Sequence, residues 1–319
     1  MTQFDSDPVR SSIARSDVVM QTKSIPWHIW DFTRNFILPT IGVVWVVVET
    51  VTGQATLANF LLFFIAVVIT GLAMSLGLHR LFSHRAFDCA PSVRYTLAVL
   101  GSMTWQRSLF MWAGRHRIHH KYTDVEGDYH SPYTYFDGKP IKNPVLRFLH
   151  AHYYWLHVAD PGLEANNKEI PDLMANPVLV WIDKKYDMFC VISLLIPGLI
   201  GYAMYGTGMG FVEGVMWGGL ARIAVVQHFV WAISSFGHIV GPRPYKEMGK
   251  STNVTLLGWL VFGEGYHNNH HAFPYSPHVG FDKGQPDLGY RILQGLEKLG
   301  LVYDMKPIPD EAARARKRN

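Results

Sequence analysis

Residues 57–78 read LANFLLFFIAVVITGLAMSLGL, 22 positions without one charged side chain. About 20 residues of helix cross the hydrocarbon core of a bilayer, so this run is long enough to span it. Three further stretches qualify at residues 36–52, 188–205 and 211–238. Pro197-Gly198 is placed to kink the third, Glu213 and Arg222 interrupt the fourth, and Glu49 near the end of the first is expected at an interface. Length alone would suggest two soluble domains. With 49% apolar, 13% aromatic and only 17% charged residues, the 319-residue chain fits neither that description nor disorder.

The basic residues sort by side. With four spans, the short turns are residues 52–56 and 206–210, and neither holds a Lys or Arg. The N-terminal segment carries 4, the long segment between spans two and three 13, and the segment after span four 11; of 29, Arg222 alone is left over. The positive-inside rule then places both termini and the long segment in the cytoplasm. The organisation expected is a cytosolic N-terminal segment (1–34), a membrane domain (35–305) and a basic C-terminal tail (306–319). Residues 91–112 are apolar but carry Arg94 and Arg107, and read as one helix lying in the interface, or a shallow re-entrant one, rather than as a fifth span. Arg222 should face the bundle interior and pair with Glu213 or a loop carboxylate. Cys89 and Cys190 match no zinc or disulfide pattern and are read as reduced. No secretory signal peptide is apparent, and no nucleic-acid partner is expected.

Histidine is the outlier. Eight of 16 fall in three windows: HRLFSH (His79, His84), HRIHH (His116, His119, His120) and HNNHH (His267, His270, His271). All three emerge on one face in the four-span arrangement, where His238 also ends span four. In a helix, positions i, i+3 and i+4 share a side, so HxxHH presents three imidazoles together. HxxxxH does not, so His79 and His84 are expected to serve different metals, with some unwinding at the lipid boundary. A zinc site uses three or four protein ligands, so eight or nine imidazoles suggest two metals. Imidazole suits zinc, copper, iron and nickel alike. The paired ExxH motifs of carboxylate di-iron bundles and the HExxH of metalloproteases are both missing. Asp124, Glu126, Asp128, Glu264, Asn268 and Asn269 stand beside the windows as groups that could orient ligating rings. His28, His130, His150, His152, His157, His228 and His278 are read as ordinary core or surface residues.

HRLFSHRAF, then HRIHHKYTDVEGDYHSP, then GEGYHNNHHAFP, with spans interleaved, resembles the integral-membrane fatty acyl desaturase family in its Δ9, stearoyl-CoA-like branch. The HRxxSH and GEGYHNNHH forms separate it from carotenoid ketolases and alkane hydroxylases. The resemblance covers roughly residues 30–305 and includes GHIVGPRPY and LEKLGLVYDMK. It implies an all-α membrane fold, four spans with a cytosolic helical cap holding a histidine-ligated di-iron centre. The matching ligands are His79, His84, His116, His119, His120, His238, His267, His270 and His271, with no catalytic residue beyond them. Ser234 stands where relatives place an Asn that holds a metal through water. Gly114-Arg115 replaces an Arg-Asp pair that contacts CoA in animal relatives, so acyl-CoA and lipid-linked chains both stay open as substrates. No HPGG haem motif occurs, so electrons should come from a separate carrier: ferredoxin, rubredoxin, or cytochrome b5 with its reductase.

The expected reaction is O2-dependent insertion of a cis double bond, Δ9 in type, into a saturated acyl chain. Redox-inert zinc cannot oxidise unactivated C–H bonds, so two irons are the implied cofactor, without haem. Trp112 and Trp231 are candidates to line an acyl tunnel. The alternatives are acyl hydroxylation on the same fold, a haem-bearing electron carrier, and a metal transporter; a bacterial inner membrane is the expected setting.

Overall fold

The computed structural model describes residues 25–158 and 167–318, so residues 1–24 of the expected N-terminal segment and Asn319 of the tail lie outside them. The fold is mostly helical. Among the described residues four helices are long and apolar enough to cross a membrane: His28–Val51, Leu57–Ser83, Tyr186–Tyr205 and Gly208–Ile239. The last three contain the stretch expected from hydropathy, the first stops one residue short of its expected end, and all four run beyond the expected bounds at one end or both. The first starts earlier because a π-helical turn, Thr33–Ile37, carries the winding through TRNF without a break. The second runs on to Ser83 for a related reason, since its last 11 residues, Ala73–Ser83, are wound as π-helix.

Local chemistry ends these helices. Thr56 caps the second span by accepting from Asn59 N, and Thr207 caps the fourth by accepting from Gly210 N. Gly206 closes the third in the left-handed conformation at φ 68°, which glycine adopts freely. The third and fourth spans then pack backbone to backbone, because a Cβ on Gly201 would lie 2.7 Å from Gly214 N.

Arg222 does face the interior, but its partners are not the expected carboxylates. Its guanidinium donates to Gly218 O (3.1 Å), Met103 O (2.7 Å) and Ser193 O (3.0 Å). Pro197 has no N–H, so the Ser193 carbonyl four residues back lacks its helical donor, and Met103 caps a helix end. The cation is held by carbonyls that the backbone leaves unpaired. Glu213 instead accepts from Trp45 Nε1 and Asn59 Nδ2, and Glu49 is buried and accepts from Trp217 Nε1 at 2.7 Å.

Residues 91–112 are not one helix. Pro91–Ser102 stops at a loop in which Trp105 and Arg107 have φ of 59° and 77°, and a second helix runs Leu109–Tyr122. The loop is fixed from outside. Trp105 Nε1 donates to Ser193 Oγ (3.0 Å), and Arg107 makes a two-pronged pair with Asp31, Nη2 to Oδ2 being 2.8 Å. Two short antiparallel strands, Asp88–Cys89 and Val302–Tyr303, bring the chain after the first histidine window against residues near its end. A buried cluster including Leu78, Phe82, Leu109 and Leu179 joins span two to the helices beyond it. Side chains such as Phe64 and Leu199 remain exposed along the spans, the apolar outer face a bilayer would cover.

Candidate metal centre

Winding explains the first window. In a π-helix the bonds run i to i+5, so five residues come close to one full turn. His79 and His84, which an α-helix would splay apart, therefore face the same way with ring centroids 4.8 Å apart. The expectation that they serve different metals is corrected, since both belong to one cluster.

The second window lies on helix Leu109–Tyr122, whose start is fixed by Ser108 Oγ accepting from Met111 N and Asp183 Oδ1 accepting from Phe110 N. The third lies on helix His267–Ala272. Neither window sends its three rings to one place, which corrects the simple spacing argument. In each, the i and i+4 rings share a cluster and the i+3 ring goes to the other. Five residues, His79, His84, His116, His120 and His270, form the first cluster, and His119, His238, His267 and His271 form the second. Within each, the nitrogens available to a metal lie within 4.8 Å of one another.

The Nε2 atoms meet head to head. In the first cluster His84–His116, His116–His120, His120–His270 and His270–His79 are separated by 2.8, 3.1, 2.9 and 3.0 Å. In the second, His119–His271, His271–His267 and His267–His238 are 3.2, 3.0 and 3.1 Å apart. Three rings are oriented from behind by carboxylates. His79 Nδ1 lies 2.7 Å from Glu264 Oε2, His119 Nδ1 2.9 Å from Asp128 Oδ1, and His238 Nδ1 3.0 Å from Asp124 Oδ2. A ring that gives its Nδ1–H to a carboxylate keeps a lone pair at Nε2, the tautomer a metal requires. Burial, reinforced by neighbouring imidazoles, holds His84, His116, His119, His120, His267, His270 and His271 well below the ordinary histidine range. Neutral rings with converging lone pairs fit metal cations.

The carboxylates differ among themselves. Burial alone would raise Glu264, but His79 and Arg80 outweigh it and draw it down to about 2. Burial is likewise overcome at Asp124, where His238 lowers the carboxyl; at Asp128 burial, with Asp124 beside it, raises it. Of the other expected supports, Glu126 is exposed and turned away from the rings. Asn268 spends its amide on the backbone of Tyr245, accepting from N (2.8 Å) and donating to O (3.0 Å), so it braces a loop rather than a ring. Asn269 does the same with Val279 O at 2.9 Å.

A cavity adjoins both clusters. Trp112, stacked on His116 at 4.9 Å, and the buried Trp231 line it, as does Ser234. Gln106 also lines it, and its Nε2 is buried with no hydrogen-bond partner among the described residues.

Comparison with known proteins matches residues 55–300 to the fatty acid desaturase family model. The chain belongs to the fatty acid desaturase family. It is thereby an oxidoreductase that acts on acyl chains, and a membrane protein. A hex-5-enoyl-[acyl-carrier protein] acetylenase of Moorena producens (strain JHB) is 36% identical over 86% of this chain and 86% of its own. An sn-1 stearoyl-lipid 9-desaturase of Anabaena variabilis is 32% identical over 91% of this chain and 98% of its own. Stearoyl-CoA desaturase 4 of Mus musculus is 28% identical over 78% and 68% respectively.

Three residues of this desaturase escaped the sequence reading. Arg80 is 1% exposed and donates to Glu264, Asp287, Phe262 O and Pro277 O, fixing the carboxylate behind His79. An arginine at the end of an uncharged run needs buried partners, so a signal was present. His130, read as ordinary, has its ring centroid 4.1 Å from that of His119, tilted by 36°, and lines the cavity, and its place two residues after Asp128 hinted at this. Gln106 carried no local signal. His152 and His228 meet each other at 3.0 Å, outside both clusters.

Proposed function

We propose that this desaturase introduces a cis double bond, Δ9 in type, into a saturated acyl chain carried on a lipid or on CoA. The observation that carries this reading is the convergence of nine Nε2 atoms into two cages beside one apolar-walled cavity. The five-histidine cluster would hold one iron and the four-histidine cluster the other. When bound, iron supplies the O2-dependent oxidation of unactivated C–H bonds that zinc cannot. The overall balance is R–CH2–CH2–R′ + O2 + 2e⁻ + 2H⁺ → R–CH=CH–R′ + 2H2O, with the electrons supplied by an external carrier.

The chain's own residues position and exclude. Glu264, Asp128 and Asp124 fix the ring tautomers. Trp112 and Trp231 hold the acyl chain against the cages and keep water out. Gln106, a buried donor without a partner among the described residues, lines the cavity and would bind the ester or thioester carbonyl. The sorting of basic residues supports a cytoplasmic location for both termini and for the cages.

Expression in a host unable to make unsaturated fatty acids tests this directly: cis-monoenoic lipids should appear, and no change in the lipid profile overturns the proposal. The likeness to an acetylenase favours one second reading, removal of two hydrogens from an existing double bond. A triple bond in the product would establish that instead, and a hydroxy acid would indicate oxygen transfer. His120→Ala and His270→Ala should each lose iron and activity; either variant at wild-type rate with full iron removes the ligand assignment.

A further inference from the structure

We propose that residues 243–250 and the helix Glu311–Lys317 together form the docking surface for a small acidic electron-carrier protein. This rests on the desaturase reading, which requires two electrons per turnover from outside.

The two segments are built as one surface. Tyr245 pairs in an antiparallel bridge with Arg318, Lys246 N donates to Lys317 O at 2.6 Å, and the Arg318 guanidinium lies over the Tyr245 ring at 5.5 Å. Arg243, Lys246, Lys250, Arg316, Lys317 and Arg318 are exposed on it. Neighbouring acids turn inward: Glu247 accepts from Gly249 N, Ser251 N and Arg243, and Asp282 accepts from Tyr245 Oη and Arg314. Asp310 and Glu311 stand at the far end of the helix. Among these cations Met248 is 67% exposed, a small apolar centre with a basic rim. Transient redox complexes bury little area and depend on charge for encounter, which suits such a patch.

Position separates this surface from a merely basic one. Lys250 N donates to Asp124 Oδ2 at 2.7 Å, and the same oxygen lies 3.0 Å from His238 Nδ1. From the other segment, Lys317 Nζ donates to Ala272 O at 2.7 Å, the residue after His271. Both halves of the patch therefore touch backbone or carboxylate that adjoins the four-histidine cluster. Anionic lipid would account for the charge but not for these two short routes to one cage.

The test uses the full iron-loaded chain in nanodiscs, with a plant-type [2Fe–2S] ferredoxin and its reductase as probe and cytochrome b5 in parallel. For Lys246→Glu/Arg316→Glu the KM for the carrier should rise about tenfold at low ionic strength, with the gap closing as salt is added. Product from a single turnover, with the chain reduced anaerobically by dithionite and O2 then admitted, should stay at the wild-type value, as should iron content. Met248→Ala should weaken the carrier without moving the salt dependence. An unchanged KM and salt profile for both carriers overturns the proposal, as does a defect confined to binding phosphatidylglycerol vesicles. Carrier binding to the immobilised chain, read without turnover, decides the docking surface even if the wild type proves inactive with dithionite, the result that would count against the desaturase reading instead.

Discussion

At Arg80 a guanidinium is buried between Glu264 and Asp287, and the ring of His79 is oriented only because Glu264 is held in place. Removing the cation leaves two buried carboxylates without the charge they share. Arg80→Ala is expected to destabilise the fold by about 3–5 kcal/mol, measured by denaturant titration in detergent. Glu264→Gln keeps the shape but not the charge that selects the His79 tautomer. Its affinity for iron in chelator competition should fall about 10–100-fold, while Glu126→Gln should match wild type. The three acids after the second window looked equivalent in the sequence. What separates them is a turn with φ of 61° at Asp124 and 95° at Gly127, which sends Asp124 and Asp128 inward and Glu126 out. Proximity to a histidine window was legible; the direction of each side chain was not.

Among the elements, hydropathy located the spans because the length and continuity of an apolar run are properties of composition. Winding is not. Nothing in AMSLGLHRLFS announces i to i+5 bonding, and with α-helical geometry assumed, His79 and His84 fell into different sites. The loop that interrupts residues 91–112 was hidden for a similar reason, since its anchors, Asp31 and Ser193, come from other helices. The contact between the third and fourth spans can be probed at Gly201. Any Cβ there meets the backbone of the facing helix, which cannot swing aside. Gly201→Val should cost about 1–3 kcal/mol in SDS-driven unfolding, more than the same change at Gly295, where nothing lies near.

For the molecule as a whole, sidedness and protonation give separate tests. A cysteine introduced at residues 52–56 should react with an impermeant thiol reagent from outside the cytoplasm, and one replacing Lys246 only from within. Labelling of the first from the cytoplasmic side would sink the four-span orientation. Seven cage histidines outside the spans are held neutral by burial, whereas in the unfolded chain they titrate near pH 6.5. Below that value the unfolded state binds more protons than the folded one. Stability of the chelated, metal-free protein is therefore full above about pH 6.5 and lost progressively below it. Its melting temperature should drop between about pH 7.5 and pH 5.5; a flat profile would show that the rings are not buried neutral.

The alternating division of the windows also orders events in time. Each cage draws at least one imidazole from residues 267–271, which follow all four spans in the chain. During synthesis, then, neither cage can be completed until residues 267–271 have left the ribosome. By that point the hydrophobic helices are already in the lipid. On the two-iron reading proposed above, metal loading follows insertion, and a chain truncated before His267 would keep all four spans yet complete neither cage.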